Sequence, residues 1–304
     1  MKRLRFLVSL PNDNRYQREQ AKAAKETAER FGADVDVVYA ENDAVKQSQQ
    51  ILEIMQSKEQ PAPDAILAEP LTATGLVRIA EAAASANIAW GVLNSEVDYI
   101  EKLRLRSKSP IFSVTRDHTE IGRVQGKQFN ALLPKGGAVL YIQGPVNSAA
   151  AAQRTTGVES IKLASIELKT LRSQWTEANA HSVVANWLKL STATAERIGV
   201  IGCQYDGIAM GARRAFEEVL DSTQRDRWLK LPFTGVDGLP QEGQAWVTQG
   251  ILAATVVSTT TTEVAIELLV NAMQTGKQPP ACTLLEATSF PPLNVLEKMG
   301  KTLK

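Results

Sequence analysis

Cysteine is nearly missing from this chain. Cys203 and Cys282 are the two in 304 residues, and they form no CxxC and no metal-ligand spacing. Neither a disulfide framework nor a zinc site is indicated. Histidine is as scarce, and His118 and His181 are too few for most metal or acid–base constellations. A thiol–imidazole pair would need Cys203 beside one of them, and nothing in the sequence brings them together. Charge of one sign is lacking too: 34 basic against 33 acidic residues give a net +1. That balance offers no reason to expect nucleic acid or an anionic membrane as a partner. No apolar run approaches the roughly 18 residues needed to span a bilayer, so no membrane insertion is expected. A phosphate-cradling loop is absent after the first strand-like run, where Pro11-Asn12-Asp13 stands and no glycine occurs until Gly32. With no Gly-x-Gly-x-x-Gly, P-loop or Gly-x-Ser-x-Gly, we expect no enzyme and no cofactor.

What remains is an alternation of strand and helix patterns from end to end. Apolar runs of four to seven residues read as buried parallel strands. They cover 4–10, 35–39, 65–68, 88–93, 111–114, 138–142, 198–201, 233–236 and 252–257, with a further strand-like segment over 166–172. The basic start, Met1-Lys2-Arg3, leads into an apolar stretch of only Phe6–Leu10, with no small-residue cleavage site. It reads as the first buried strand, not as a secretion signal. Either a trimmed periplasmic form or a cytoplasmic protein fits that start. Residues 16–31 place Ala21, Ala24, Ala28 and Phe31 on one helical stripe, and residues 117–133 do the same with Ile121, Val124, Phe129 and Leu132 behind an Asp117 N-cap. The charged segment Val97–Ser109 reads as a loop. Repeated βα units force parallel sheets with right-handed crossovers. At this length two α/β lobes are expected, with a break near 113–117 and no flexible linker.

Polar residues cluster where these strands end, which is where open α/β sheets contact ligands. Pro11-Asn12-Asp13-Asn14-Arg15-Tyr16 is either a ligand loop, with Asn12, Asn14 and Tyr16 as its contacts, or a turn that caps the first helix. Glu69 and Asn94 are each a cleft group or an exposed turn residue. Arg154 lies two turns into a helix, either solvated or forked onto paired oxygens. Trp175 offers a face that stacks on sugar C–H groups or simply packs. Asp206 reads as the N-cap of a helix over 207–220. Asp237, between Val236 and Gly238, is an acid at a strand terminus. Amides, acids, an arginine and aromatics at strand ends from both halves suit a pocket for a small polar ligand.

Taken together, the chain resembles the type I periplasmic binding proteins, in the ribose-binding subgroup that shares its core with LacI-type repressors. The resemblance spans nearly the full length. It is carried by Ile142-Gln143-Gly144 with Arg154-x-x-Gly157, by Cys203-Gln204-Tyr205-Asp206-Gly207 running on to Phe216, by Thr234-Gly235-Val236-Asp237-Gly238, and by Gln249-Gly250 leading into Thr255-Val256. It implies two doubly wound parallel-sheet lobes joined by three hinge crossings, residues 1–115 plus 259–286 and residues 116–258 plus 287–304, with a ligand cleft between them. It implies ligand contacts at Asn12, Tyr16, Glu69, Asn94, Arg154, Trp175, Tyr205, Asp237 and Ser258. The implied function is non-catalytic capture of a sugar or polyol for delivery to an ABC-type permease or a sensor protein. An effector-sensing domain of a LacI-type regulator is the alternative. The pattern departs at Asn94-Ser95, where the family's sugar binders usually carry Asp-Arg, and at Glu69, which adds negative charge where ribose binders have Asn.

Overall fold

A computed structural model of the protein describes residues 3–72, 74–190, 193 and 197–302. The chain divides into two units, Met1–Arg116 with Thr259–Leu285 and Asp117–Ser258 with Glu286–Lys304. The described strands, in chain order, are β1 (Arg5–Leu10), β2 (Asp34–Tyr39), β3 (Ala65–Ala68), β4 (Ala89–Leu93), β5 (Ile111–Arg116), β6 (Gly137–Gln143), β7 (Ile166–Arg172), β8 (Ile198–Cys203), β9 (Phe233–Asp237), β10 (Ala254–Ser258), β11 (Cys282–Leu285) and β12 (Ala287–Phe290).

The first unit holds one six-stranded sheet in the order β11-β5-β4-β3-β1-β2, with every neighbouring pair parallel. Successive residues of a strand face opposite sides, and β1 shows both sides buried. Phe6, Val8 and Leu10 pack with Ala24 and Ala28 of the helix Arg15–Arg30 and with Ile266 and Leu269 of the helix Thr261–Thr275. Leu7 points the other way, into a second core with Ile51, Ile79 and Trp90. Helices on both faces explain why these strands are nearly continuous apolar runs.

The second unit repeats the plan in the order β12-β10-β9-β8-β6-β7. Here β12 runs antiparallel to β10, and the other pairs are parallel. In each sheet the strand order reverses at one point, between β1 and β3 and between β6 and β8. Such reversals open a crevice at the carboxyl ends of the strands. The doubly wound parallel-sheet architecture read from the sequence is present in both units.

Three local readings are corrected. The segment 97–109 is not simply a loop, because it contains the helix Ile100–Arg104. Ile100 and Leu103, one turn apart, are buried against the core that holds Trp90. Asp206 is not an N-cap: the helix is Asp206–Glu217, and the extended residue before it is Tyr205. The strand expected over 252–257 begins only at Ala254, because Ile251 and Leu252 donate their N–H groups back to the Trp246 carbonyl in a turn. Two short strands, β11 and β12, and the helix Leu293–Thr302 were not anticipated.

Candidate functional site

In the first unit, the turn after β1 uses its amides on itself. Asn14 caps the helix Arg15–Arg30 by accepting from the Gln17 N–H at 3.0 Å. Asn12 accepts from the Asn14 N–H at 3.0 Å and donates to Asn42 Oδ1 at 2.7 Å. Of the two readings of this loop, capping accounts for Asn14.

Tyr16, Glu69 and Asn94 are linked by a residue the sequence reading missed. Arg116, buried at the end of β5, holds its guanidinium 4.6 Å from the centroid of the Tyr16 ring. Its Nε donates to Asn94 Oδ1 at 3.3 Å, and Asn94 Nδ2 donates to Glu69 Oε1 at 3.2 Å. Asn94 sits at φ +52°, a left-handed conformation that asparagine tolerates better than most residues. Glu69 is fixed through its backbone: its N–H donates to the Ser9 carbonyl at 2.9 Å, and its own carbonyl accepts from Gln47 Nε2 at 2.8 Å. Arg116, from the strand next to β4, thus brings a guanidinium to the Asn94–Glu69 hydrogen bond. The available signal was an arginine ending an apolar run just before the Asp117 cap.

In the second unit, Arg154 is not solvated: it is 3% exposed on the helix Ala149–Ile161. Glycines set that helix deep. A Cβ on Gly122 would lie 2.1 Å from the Arg154 carbonyl oxygen, and one on Gly157 would lie 2.1 Å from that of Thr119. The Arg154 guanidinium donates to the Gln204 carbonyl, lies 5.5 Å from the centroid of the Trp175 ring, and approaches Asp237 Oδ1 to 3.7 Å. Trp175 is half-buried and rests on the Gly144 backbone, where a Cβ would come within 2.3 Å of its ring. Buried Gln204 ties this floor together. It accepts from the Gly144 N–H at 2.9 Å and donates to the Tyr141 hydroxyl at 2.9 Å and the Ala151 carbonyl at 3.0 Å. Arg154, Trp175 and Asp237 therefore come together. Tyr205 is half-buried with its ring over Gly207, and Ser258 closes β10 one residue past the Val257–Asp237 register.

Asp237 ends β9 at φ +106°, a region that strains a non-glycine residue by about 1–3 kcal/mol. Such strain is concentrated where a side chain must be aimed. Beside it lies Asp206, missed as a site component and 1% exposed. Burial, then the charge of Asp237, pushes its carboxyl well above the usual carboxylate range. Thr255 and the Gly238 N–H, which hydrogen-bond it, act in the opposite direction.

This arrangement suits binding. A carboxylate and a guanidinium each accept or donate two parallel hydrogen bonds, which matches adjacent hydroxyl groups. Nucleophilic chemistry finds little support. Cys203 is fully buried, with its thiol pushed up by that burial, and reactive thiols are partly exposed and acidified. His181 pairs with Glu218 at 2.8 Å on the surface. Among the described residues no group of His, Cys, Asp and Glu could hold a metal ion. No described helix is long and apolar enough to cross a membrane.

Comparisons with known proteins agree. The galactofuranose-binding protein YtfQ of Escherichia coli is 24% identical over 298 residues, 95% of this chain and 88% of that protein. Among solved structures, an ABC transporter periplasmic solute binding protein of Actinobacillus succinogenes with bound D-allose aligns with a TM-score of 0.77 at 21% identity, covering 99% of this chain and 100% of that one. The Caulobacter myo-inositol binding protein, bound to myo-inositol, aligns at 0.72 and 19%, covering 98% and 97%. These structures share the fold. Residues 6–278, from β1 through β10 and beyond, match the periplasmic binding protein domain, and the chain belongs to that family of solute-binding proteins.

Proposed function

We propose that this protein captures a small, neutral, polyhydroxylated solute, a sugar or polyol, and hands it to an ABC-type permease. The buried Arg154–Asp237 pair at the end of β9, with Trp175 against the guanidinium, carries the reading. The pair offers forked donors and acceptors, and the indole offers an apolar face for ring C–H groups. Further candidate contacts for such a solute are Asn12, Tyr16, Glu69, Asn94 and Arg116 in the first unit and Tyr205 and Ser258 in the second. Since Arg154 faces Asp237, and Arg116 shares Asn94 with Glu69, each carboxylate has a guanidinium in its own unit. That balance favours a neutral ligand over an amine or an acid. The ligands named for the relatives, galactofuranose, D-allose and myo-inositol, are of this class. Binding shifts the population of conformations, and the loaded form is what the permease recognises. The setting is the periplasm.

Native mass spectrometry of protein purified without added sugar tests this. We expect a co-purified neutral polyol or sugar at one equivalent, confirmed by calorimetry with the authentic compound. Stabilisation in a thermal-shift screen only by anionic or cationic small molecules overturns the reading.

A further inference from the structure

We propose that Asp206 is a positioning residue: its carboxyl group fastens the peptide that follows Asp237 and so keeps the Asp237 carboxylate against Arg154. The relevance to binding rests on the function proposed above, but the geometry lies within one unit. Asp237 and Gly238 are two successive left-handed residues, at φ +106° and +57°. A non-glycine residue persists there only where its surroundings over-determine it. The Gly238 N–H donates to Asp206 Oδ2 at 2.8 Å, and Gln244 Nε2 donates to the Gly238 carbonyl at 2.7 Å. Both polar groups of Gly238 are therefore gripped. Asp206 is anchored in turn by Thr255, whose hydroxyl donates to Oδ1 at 2.7 Å from the adjoining strand β10.

Glycine makes the room for this carboxyl group. A Cβ on Gly235 would fall 2.0 Å from Oδ1, and one on Gly243 would fall 2.1 Å from Oδ2. Gly235 belongs to β9, while Gly243 arrives on the π-helical turn Pro240–Gln244, directly beyond Asp237. The cradle thus unites β9, β10, that turn and the start of the helix Asp206–Glu217 around one side chain. Burial and the Asp237 charge favour the protonated form of Asp206.

Ligand-free crystal structures of D206N and D206A test the role. Asparagine keeps an oxygen for the Gly238 N–H and gains an N–H for Thr255, so D206N should preserve the left-handed Asp237 and its 3.7 Å approach to Arg154. In D206A both should be lost. A D206A structure that retains them overturns the proposal, as does a D206N structure that loses them. Should D206A fail to fold, T255V removes one anchor only. Amide hydrogen exchange at Gly238 should then accelerate by about tenfold or more relative to wild type, and unchanged protection counts against the role. No ligand enters these measurements. A failed ligand screen leaves them standing, and their failure leaves the solute-binding reading intact.

Discussion

Arg116 lies over Tyr16, with 4.6 Å between guanidinium carbon and ring centroid, while its Nε holds Asn94. One side chain thereby joins an aromatic face to the Asn94–Glu69 hydrogen bond. Replacing Arg116 by Met should weaken binding of the co-purified ligand by about tenfold or more, the cost of a lost charge-assisted hydrogen bond. Lys should not restore it, because an ammonium lacks the planar fork and stacks less well. Calorimetry on both variants checks this, and full affinity in the Met variant would remove Arg116 from the site.

Asp237→Ala removes the carboxylate that faces the buried Arg154 guanidinium. Breaking a buried pair costs about 3–5 kcal/mol, and alanine inherits the strained φ. We expect a denaturation midpoint well below wild type and ligand affinity reduced by orders of magnitude. Unchanged calorimetry would refute the assignment of the Arg154–Asp237 pair.

Gly144→Ala places a methyl 2.3 Å from the Trp175 ring. The indole must shift, at about 1–3 kcal/mol for an overpacked contact. The measurable signs are a changed tryptophan emission maximum and weaker ligand binding, with far-ultraviolet circular dichroism preserved.

The elevated Asp206 carboxyl gives a pH dependence with a defined sign. Between its unfolded value near 3.8 and its higher folded value, the folded state holds more protons than the unfolded state. Its contribution to stability is therefore greatest at low pH, and it declines as pH rises through that window. Asp206→Asn removes this titrating group. Urea midpoints of the variant relative to wild type, measured from pH 4 upward, should diverge in the variant's favour with rising pH.

The sheets were legible because their strands are buried on both faces, so Leu7 and Val8 are equally apolar and the run stands out. The strands β11 and β12 escaped for the converse reason. Cys282 is exposed, Thr283 half-exposed, and Ala287–Phe290 is mixed, as edge strands tend to be. In the site, Arg154 and Asp237 were found at strand and helix ends, but nothing in the sequence distinguished a buried Arg154 from a solvated one. The burial depends on Gln204, Trp175 and Asp237, partners distant in sequence that surround the guanidinium. Asp206 was misread because an acid at a helix start ordinarily caps it, and the cradle that turns it inward is formed by residues distant in sequence. Arg116 was missed because its partners are distant in sequence, Tyr16 on the helix Arg15–Arg30 and Asn94 just past β4.

Neither unit is a continuous stretch of chain, since β11 joins the first sheet and β12 the second only after β10 has been made. On the ribosome, β5 therefore waits with a naked edge throughout synthesis of residues 117–281. Unpaired edges of that kind invite pairing with other chains. A C-terminal truncation before Cys282 would make that exposure permanent, and would leave β10 without its antiparallel neighbour as well. Residues 282–290 are thus the ones that cover the open edges of β5 and β10.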